Sequence, residues 1–260
     1  MSRIFDTADA TRAAARHNGR LMRPSLSIAV AQPLVVNGDI AGNAIRHADA
    51  VRRSGARVVV MPELSLTGYT FDAETIEVGD ERLLPIIDAC EETGSIALAG
   101  APVEATGGTG RSIGVFRIGE GTVSTAYRKM WLGADEREHF SAGKEPSVIE
   151  VDGWRLGLAV CKDTSVAAHA KVTAEKGMDV YVAGVLERAG EHDEVQHRAE
   201  TVSRKNNVWV AIASFAGSTG EGFDVAAGCS GVWSPDGQMV GRVGMACEEI
   251  LTVTLDPGWT

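Results

Sequence analysis

Short apolar runs recur along the chain, with patterns of helical spacing between many of them. The run 26–32 (LSIAVAQ) reads as a buried strand. A helical stretch, 43–54, follows it with Ala44, Ile45, Ala48 and Val51 on one face. The run 57–64 (RVVVMPEL) reads as a second buried strand, and Pro62 removes a backbone donor and helps to end it. A helix over 81–93 closed by Gly94, the strand 96–103, and a hairpin of 113–118 and 122–127 about Gly-Glu-Gly come next. Two strands, 147–151 and 154–160, flank an Asp-Gly turn. The helix 167–176, strand 179–185, helix 194–206 and strand 208–215 extend the alternation, and the runs 229–234, 238–244 and 249–255 complete it. Parallel strands need a crossover and hairpins do not, so β-α-β units mixed with hairpins predict an α/β layered fold with mixed sheets.

Four cysteines without C-x-x-C spacing argue against a zinc or disulfide framework and predict reduced thiols in the cytoplasm. A net charge of -10 argues against nucleic acid as a partner. The first two dozen residues carry no apolar core of a signal peptide, and no apolar stretch is long enough to cross a membrane. We read residues 1–24 as an N-terminal extension, with a short helix or loose arm over 7–16, and 25–260 as one domain.

Three ionisable side chains follow apolar strands. Glu63 lies in VVVMPELSLTGY, Lys129 in TAYRKMWL and Cys161 in WRLGLAVCKDTS. A cysteine at a strand end is most simply a small core residue. The six histidines suggest no base for it, since each reads as a surface residue. A thiol, a carboxylate and a cation meeting beyond the strand ends would, however, be the parts of an acyl-transfer site. Glu63 would take the proton, and a nearby lysine would favour the thiolate.

These three segments, with spacings of 66 and 32 residues, resemble the carbon–nitrogen hydrolase (nitrilase) superfamily. The segments SLSIAVAQP, SRKNNVWVAIASFAG and SGVWSPDGQMVG extend the resemblance over nearly the whole domain. It implies a four-layer αββα sandwich and a Glu–Lys–Cys triad. Cys161 would be the nucleophile, Glu63 the general base, and Lys129 the oxyanion stabiliser, helped by the backbone N–H of Lys162. Glu136, four residues before Phe140, would position Lys129 and the substrate; the competing reading is a solvated loop charge. Lys162-Asp163 after the cysteine favours amides or N-carbamoyl amines over nitriles, and hydrolysis would run through a thioester. Trp131, Lys162, Asp163 and Tyr69 are the candidate substrate-binding residues, although Trp131 reads equally as core and Asp163 as a helix cap. Where acid-recognising relatives place an arginine beyond that aspartate, this chain has Thr164-Ser165, which disfavours a carboxylate-bearing substrate. The resemblance implies no metal or other cofactor, a small-molecule substrate, and a homodimer or higher homo-oligomer. The alternatives are a nitrilase, or a catalytically inert module on the same fold.

Overall fold

The structure, a computed structural model, describes residues 16–17, 20–21 and 23–259. The arm read over 7–16 therefore lies outside the described residues except for Arg16, which belongs to a short antiparallel pairing with 20–21. Two six-stranded mixed sheets form the centre. The first contains β1 (Leu26–Ala31), β2 (Val58–Val60), β3 (Ile96–Glu104), β4 (Arg111–Gly119) and β5 (Thr122–Arg128), with the last strand, β12 (Ile250–Leu255), antiparallel along the edge of β1. The second runs in space from β6 (Ser147–Val151) through β7 (Trp154–Val160), β8 (Val180–Val185), β9 (Trp209–Ser214) and β10 (Gly231–Trp233) to β11 (Met239–Arg242). Parallel pairing is confined to β1–β2–β3 and β7–β8–β9, the strands joined by helical crossovers or long connections.

Side chains alternate along each strand, so every central strand supplies two cores. Ile28, Val30, Val58, Val60, Ile96 and Leu98 face Leu156, Leu158, Val160, Val180 and Val182 between the sheets. Ala29, Ala31, Val59 and Ala97 point the other way, against α1 (Ile40–Ser54) and α2 (Leu84–Thr93). Ala159, Tyr181, Ala183, Val210 and Ile212 do the same beneath α3 (Ala167–Glu175) and α4 (His192–Asn206). Near-continuous apolar strands follow from this double coverage, and the result is the four-layer αββα sandwich.

Helix α1 begins earlier than its apolar periodicity indicates, because the Asp39 carboxylate accepts from the Gly42 N–H at 3.0 Å and caps it. Ile45, expected on the apolar face, is 60% exposed, while Asn43 and His47 are fully buried. Both polar side chains are satisfied. Asn43 Nδ2 donates to the carbonyls of Val36 (2.8 Å) and Leu66 (3.1 Å), and His47 Nε2 lies 2.8 Å from Ser65 Oγ. Through these bonds α1 holds the loop that follows Glu63.

Candidate active site

The loop carrying Glu63 is fixed on both sides. The Met61 N–H still donates to the Leu98 carbonyl at 2.9 Å, then Pro62 ends the ladder and Leu64 turns the chain at φ 48°. Two glycines leave room for that turn. A Cβ on Gly100 of β3 would lie 2.5 Å from both Leu64 N and Pro62 O, and one on Gly184 of β8 would lie 2.5 Å from Met61 O. The Glu63 backbone is thus seated between the two sheets, and its side chain is 1% exposed.

Lys129 follows β5, where its N–H donates to the Ile113 carbonyl at 2.8 Å and its own carbonyl accepts from Gly143 N–H at 2.7 Å. Cys161 follows β7 at φ 39°, a left-handed conformation that a side chain rarely adopts, and opens a 3₁₀ turn, Cys161–Ser165. Lys162, second in that turn, has no i−3 partner for its N–H within the turn. Its side chain is exposed.

These elements bring five of the sequence-derived residues together. Lys129 Nζ donates to Glu63 Oε1 and to Glu136 Oε1, each at 2.7 Å. Tyr69 Oη donates to the same Glu136 oxygen at 2.7 Å, and the Gly133 N–H donates to Glu136 Oε2 at 2.7 Å. An ammonium has three protons, so one remains for another acceptor. Glu63 Oε2 is buried without a hydrogen-bond partner. Cys161 is close enough to bear on the Glu63 carboxyl, and its thiol donates to the Leu186 carbonyl at 3.3 Å. Glu136 is 3% exposed, which corrects the reading of a solvated loop charge.

Lys129 favours the Cys161 thiolate, as expected, but does not outweigh the rest of the cluster. Burial and the Glu63 charge push the thiol well above its ordinary value, and Lys129 only partly opposes them. Burial also raises Glu63 to about 7 against the pull of Lys129. Burial alone would lower Lys129, but Glu63, Cys161 and Glu136 outweigh it and hold the ammonium above the lysine range. The resting site therefore has a thiol, a lysine cation and a carboxyl poised to accept a proton.

Asp163 is fully buried, and its oxygens are taken by the protein. Oδ2 accepts from Val160 N–H at 2.9 Å and Tyr127 Oη at 2.8 Å, and Oδ1 accepts from Trp131 N–H at 2.9 Å. It thereby ties the Cys161 elbow to the segment just after Lys129. Behind it, His169 is buried between Tyr127 Oη (2.9 Å) and Tyr181 Oη (2.7 Å), so the reading of His169 as a surface residue is corrected. His47 is buried as well, whereas His139 and His197 are exposed. Trp131 is partly exposed, with its ring edge-on to His169 at 5.5 Å. Tyr69 meets Phe71 and Phe223 edge-on at 5.3 and 5.4 Å, forming an aromatic wall.

Sequence reasoning missed Glu187 and Arg198. Glu187 Oε1 lies 3.9 Å from Cys161 Sγ and pairs with the Arg198 guanidinium from α4. The signal was available, since Glu187 follows an apolar strand just as Glu63 does. Cys229 was read within a strand, but it lies in the loop before β10 at φ 60°.

The carbon-nitrogen hydrolase family model matches residues 27–260. The chain belongs to the carbon–nitrogen hydrolase family. It is an enzyme that hydrolyses carbon–nitrogen bonds, and the relatives it matches include omega-amidases. The omega-amidase YafV of Escherichia coli K12 is 26% identical, over 84% of this chain and 84% of that protein. The hydrolase in the pqqF 5' region of Pseudomonas protegens is 27% identical, over 91% and 84%. Among solved structures, the NitN amidase of Nesterenkonia sp. AN1 superposes with a TM-score of 0.78 at 26% identity, over 89% of this chain and 93% of that one. A variant of the Nesterenkonia amidase carries acrylamide added to its active-site cysteine. Among the described residues no helix is long and apolar enough to cross a membrane.

Proposed function

We propose that this hydrolase cleaves linear amides or N-carbamoyl amines through a thioester on Cys161. The observation that carries the reading is the Glu63–Lys129–Glu136 chain of 2.7 Å bonds, with the free Glu63 oxygen beside the thiol. Glu63 takes the thiol proton as sulfur attacks the carbonyl carbon. The third Lys129 proton and the Lys162 N–H stabilise the oxyanion. Glu63 then delivers its proton to the leaving nitrogen and activates the water that opens the thioester. Glu136 fixes Lys129, Asp163 fixes the two loops relative to one another, and Tyr69 and Trp131 border the substrate. The enzyme works without a metal, in the cytoplasm, as a homo-oligomer; light scattering on the purified protein tests the last point. A panel of ω-amides, N-carbamoyl amines and simple aliphatic amides assayed for ammonia tests the reading, and hydrolysis of none of them while a nitrile is consumed would replace it.

The Glu63 pKa sets a direction for pH. A base must be ionised, so kcat/KM should rise as pH increases through about 7, and the rise should vanish in Glu63→Gln. Stability should run the opposite way. The folded carboxyl binds its proton more tightly than the unfolded one, so this group stabilises below pH ~4.5 and that contribution is lost as pH rises to about 7. Titrating activity and urea midpoints in parallel checks both slopes.

Gly184→Ala should displace the Glu63 loop. The new Cβ would meet Met61 O at 2.5 Å and Glu63 N at 2.9 Å, both backbone atoms that cannot swing aside. We expect kcat to fall by roughly a hundredfold, the loss associated with an ångström of misplacement. Unchanged kcat in a folded Gly184→Ala protein would show that this contact does not hold the base.

A further inference from the structure

The cleft contains an ion pair that the triad chemistry does not use. Glu187, just beyond β8, and Arg198, on α4, meet beside the nucleophile with side chains only 14% and 16% exposed. The Arg198 guanidinium donates to Glu187 Oε1, the oxygen that lies 3.9 Å from Cys161 Sγ. Its other arm reaches Thr164 Oγ1 at 3.4 Å, and Thr164 Oγ1 donates to the Cys161 carbonyl at 2.7 Å. Arg198 therefore touches both segments flanking the sulfur, the elbow after β7 and the strand end after β8.

We propose that Glu187 and Arg198 are positioning residues that set how readily Cys161 gives up its proton, with Glu187 restraining ionisation and Arg198 limiting that restraint. A carboxylate next to a thiol opposes a second negative charge, and the guanidinium that pairs with it offsets the opposition. Other charged groups also bear on the sulfur. Glu63 and Lys129 approach from the loops after β2 and β5, Glu136 lies behind Lys129, and Glu191, at the start of α4, interacts with Glu187. Among these, Glu187 acts on the thiol without being bonded to Lys129, so it can be altered without breaking the triad. Burial raises Glu187 itself, against the pull of Arg198.

The inference concerns the site assigned above but can be read without turnover. Wild type, Glu187→Gln and Arg198→Gln would be alkylated with iodoacetamide across pH, following the Cys161 peptide by mass spectrometry with Cys229 and Cys247 as internal references. Glu187→Gln keeps the side-chain shape and an acceptor for Arg198. It should shift the Cys161 rate profile down by about one pH unit, so that alkylation below the midpoint is about tenfold faster with the same high-pH plateau. Arg198→Gln should shift the profile upward. A Glu187→Gln profile that is unmoved or moves upward overturns the proposal. A raised plateau with an unmoved midpoint, or parallel acceleration of Cys229, also overturns it, because that would mean loosened packing. Failure of every amide in the substrate panel would remove the proposed function and leave these alkylation results intact.

Discussion

Cys161→Ala should abolish amide hydrolysis, lowering kcat by at least about 10⁴-fold, while the protein stays folded. The size follows from the role, since without sulfur no thioester can form and the remaining groups provide only binding and electrostatic help. The small stability change follows from the environment. The thiol donates to the Leu186 carbonyl at 3.3 Å and has a long contact of 3.9 Å to Glu187 Oε1, and Cys161 is partly exposed. Losing it should change stability by about 1 kcal/mol in either direction. Two measurements separate a missing nucleophile from a damaged fold. Ammonia release should disappear while the urea midpoint stays near the parent value. Intact mass after rapid quenching with a slow amide should show an acyl adduct on the parent and none on the variant. Serine substitutions at Cys90, Cys229 and Cys247 should each retain turnover. Hydrolysis by Cys161→Ala at the parent rate would require a different nucleophile and would end the thioester reading.

Much of this arrangement was legible because strand ends and periodicity are local properties. Apolar runs covered on both faces marked β2 and β7, and Glu63 and Cys161, the ionisable residues that follow them, marked the site. The polar grips on those loops were not legible. Asn43 and His47 interrupt an apolar helix face, and only the fold shows that Val36, Leu66 and Ser65 wait there to bond them. His169 looked like a surface residue because tyrosines 42 and 12 residues away satisfy its ring nitrogens. The thiol's protonation was not legible for a related reason. Sequence identifies a lysine neighbour but not how deeply the sulfur is buried or that Glu63 and Glu187 also face it, and burial dominates. Glu187 follows its apolar strand just as Glu63 does, so its place at the site was legible too.

Lys129→Met should have the largest effect on stability, and its pH dependence tests the electrostatics of the cluster. Lys129, Glu63 and Glu136 are almost wholly buried, and the one ammonium holds both carboxylates at 2.7 Å. Removing it leaves two carboxyl groups close together in a low-dielectric site, and breaking a buried pair this way typically costs about 3–5 kcal/mol. That is a large share of the roughly 5–15 kcal/mol that holds a domain folded. The lysine's own contribution is constant over neutral pH. Its folded pKa lies above the ordinary 10.5, so that stabilisation is complete below 10.5 and disappears only as pH rises through the folded value. The pH dependence of the difference must therefore come from the carboxyls. Without the cation Glu63 binds its proton more tightly still, so the deficit should be small near pH 5 and grow toward pH 8. Urea midpoints at those two pH values check this, and an equal deficit at both would mean that water has entered and solvated the carboxylates. Adding Glu136→Gln to Lys129→Met removes one of the unpaired charges and should recover part of the stability at pH 8. It should not recover turnover, since loss of an oxyanion donor alone costs about 10²–10³ in kcat. Stability that returns without activity would separate the structural work of this ammonium from its chemical work.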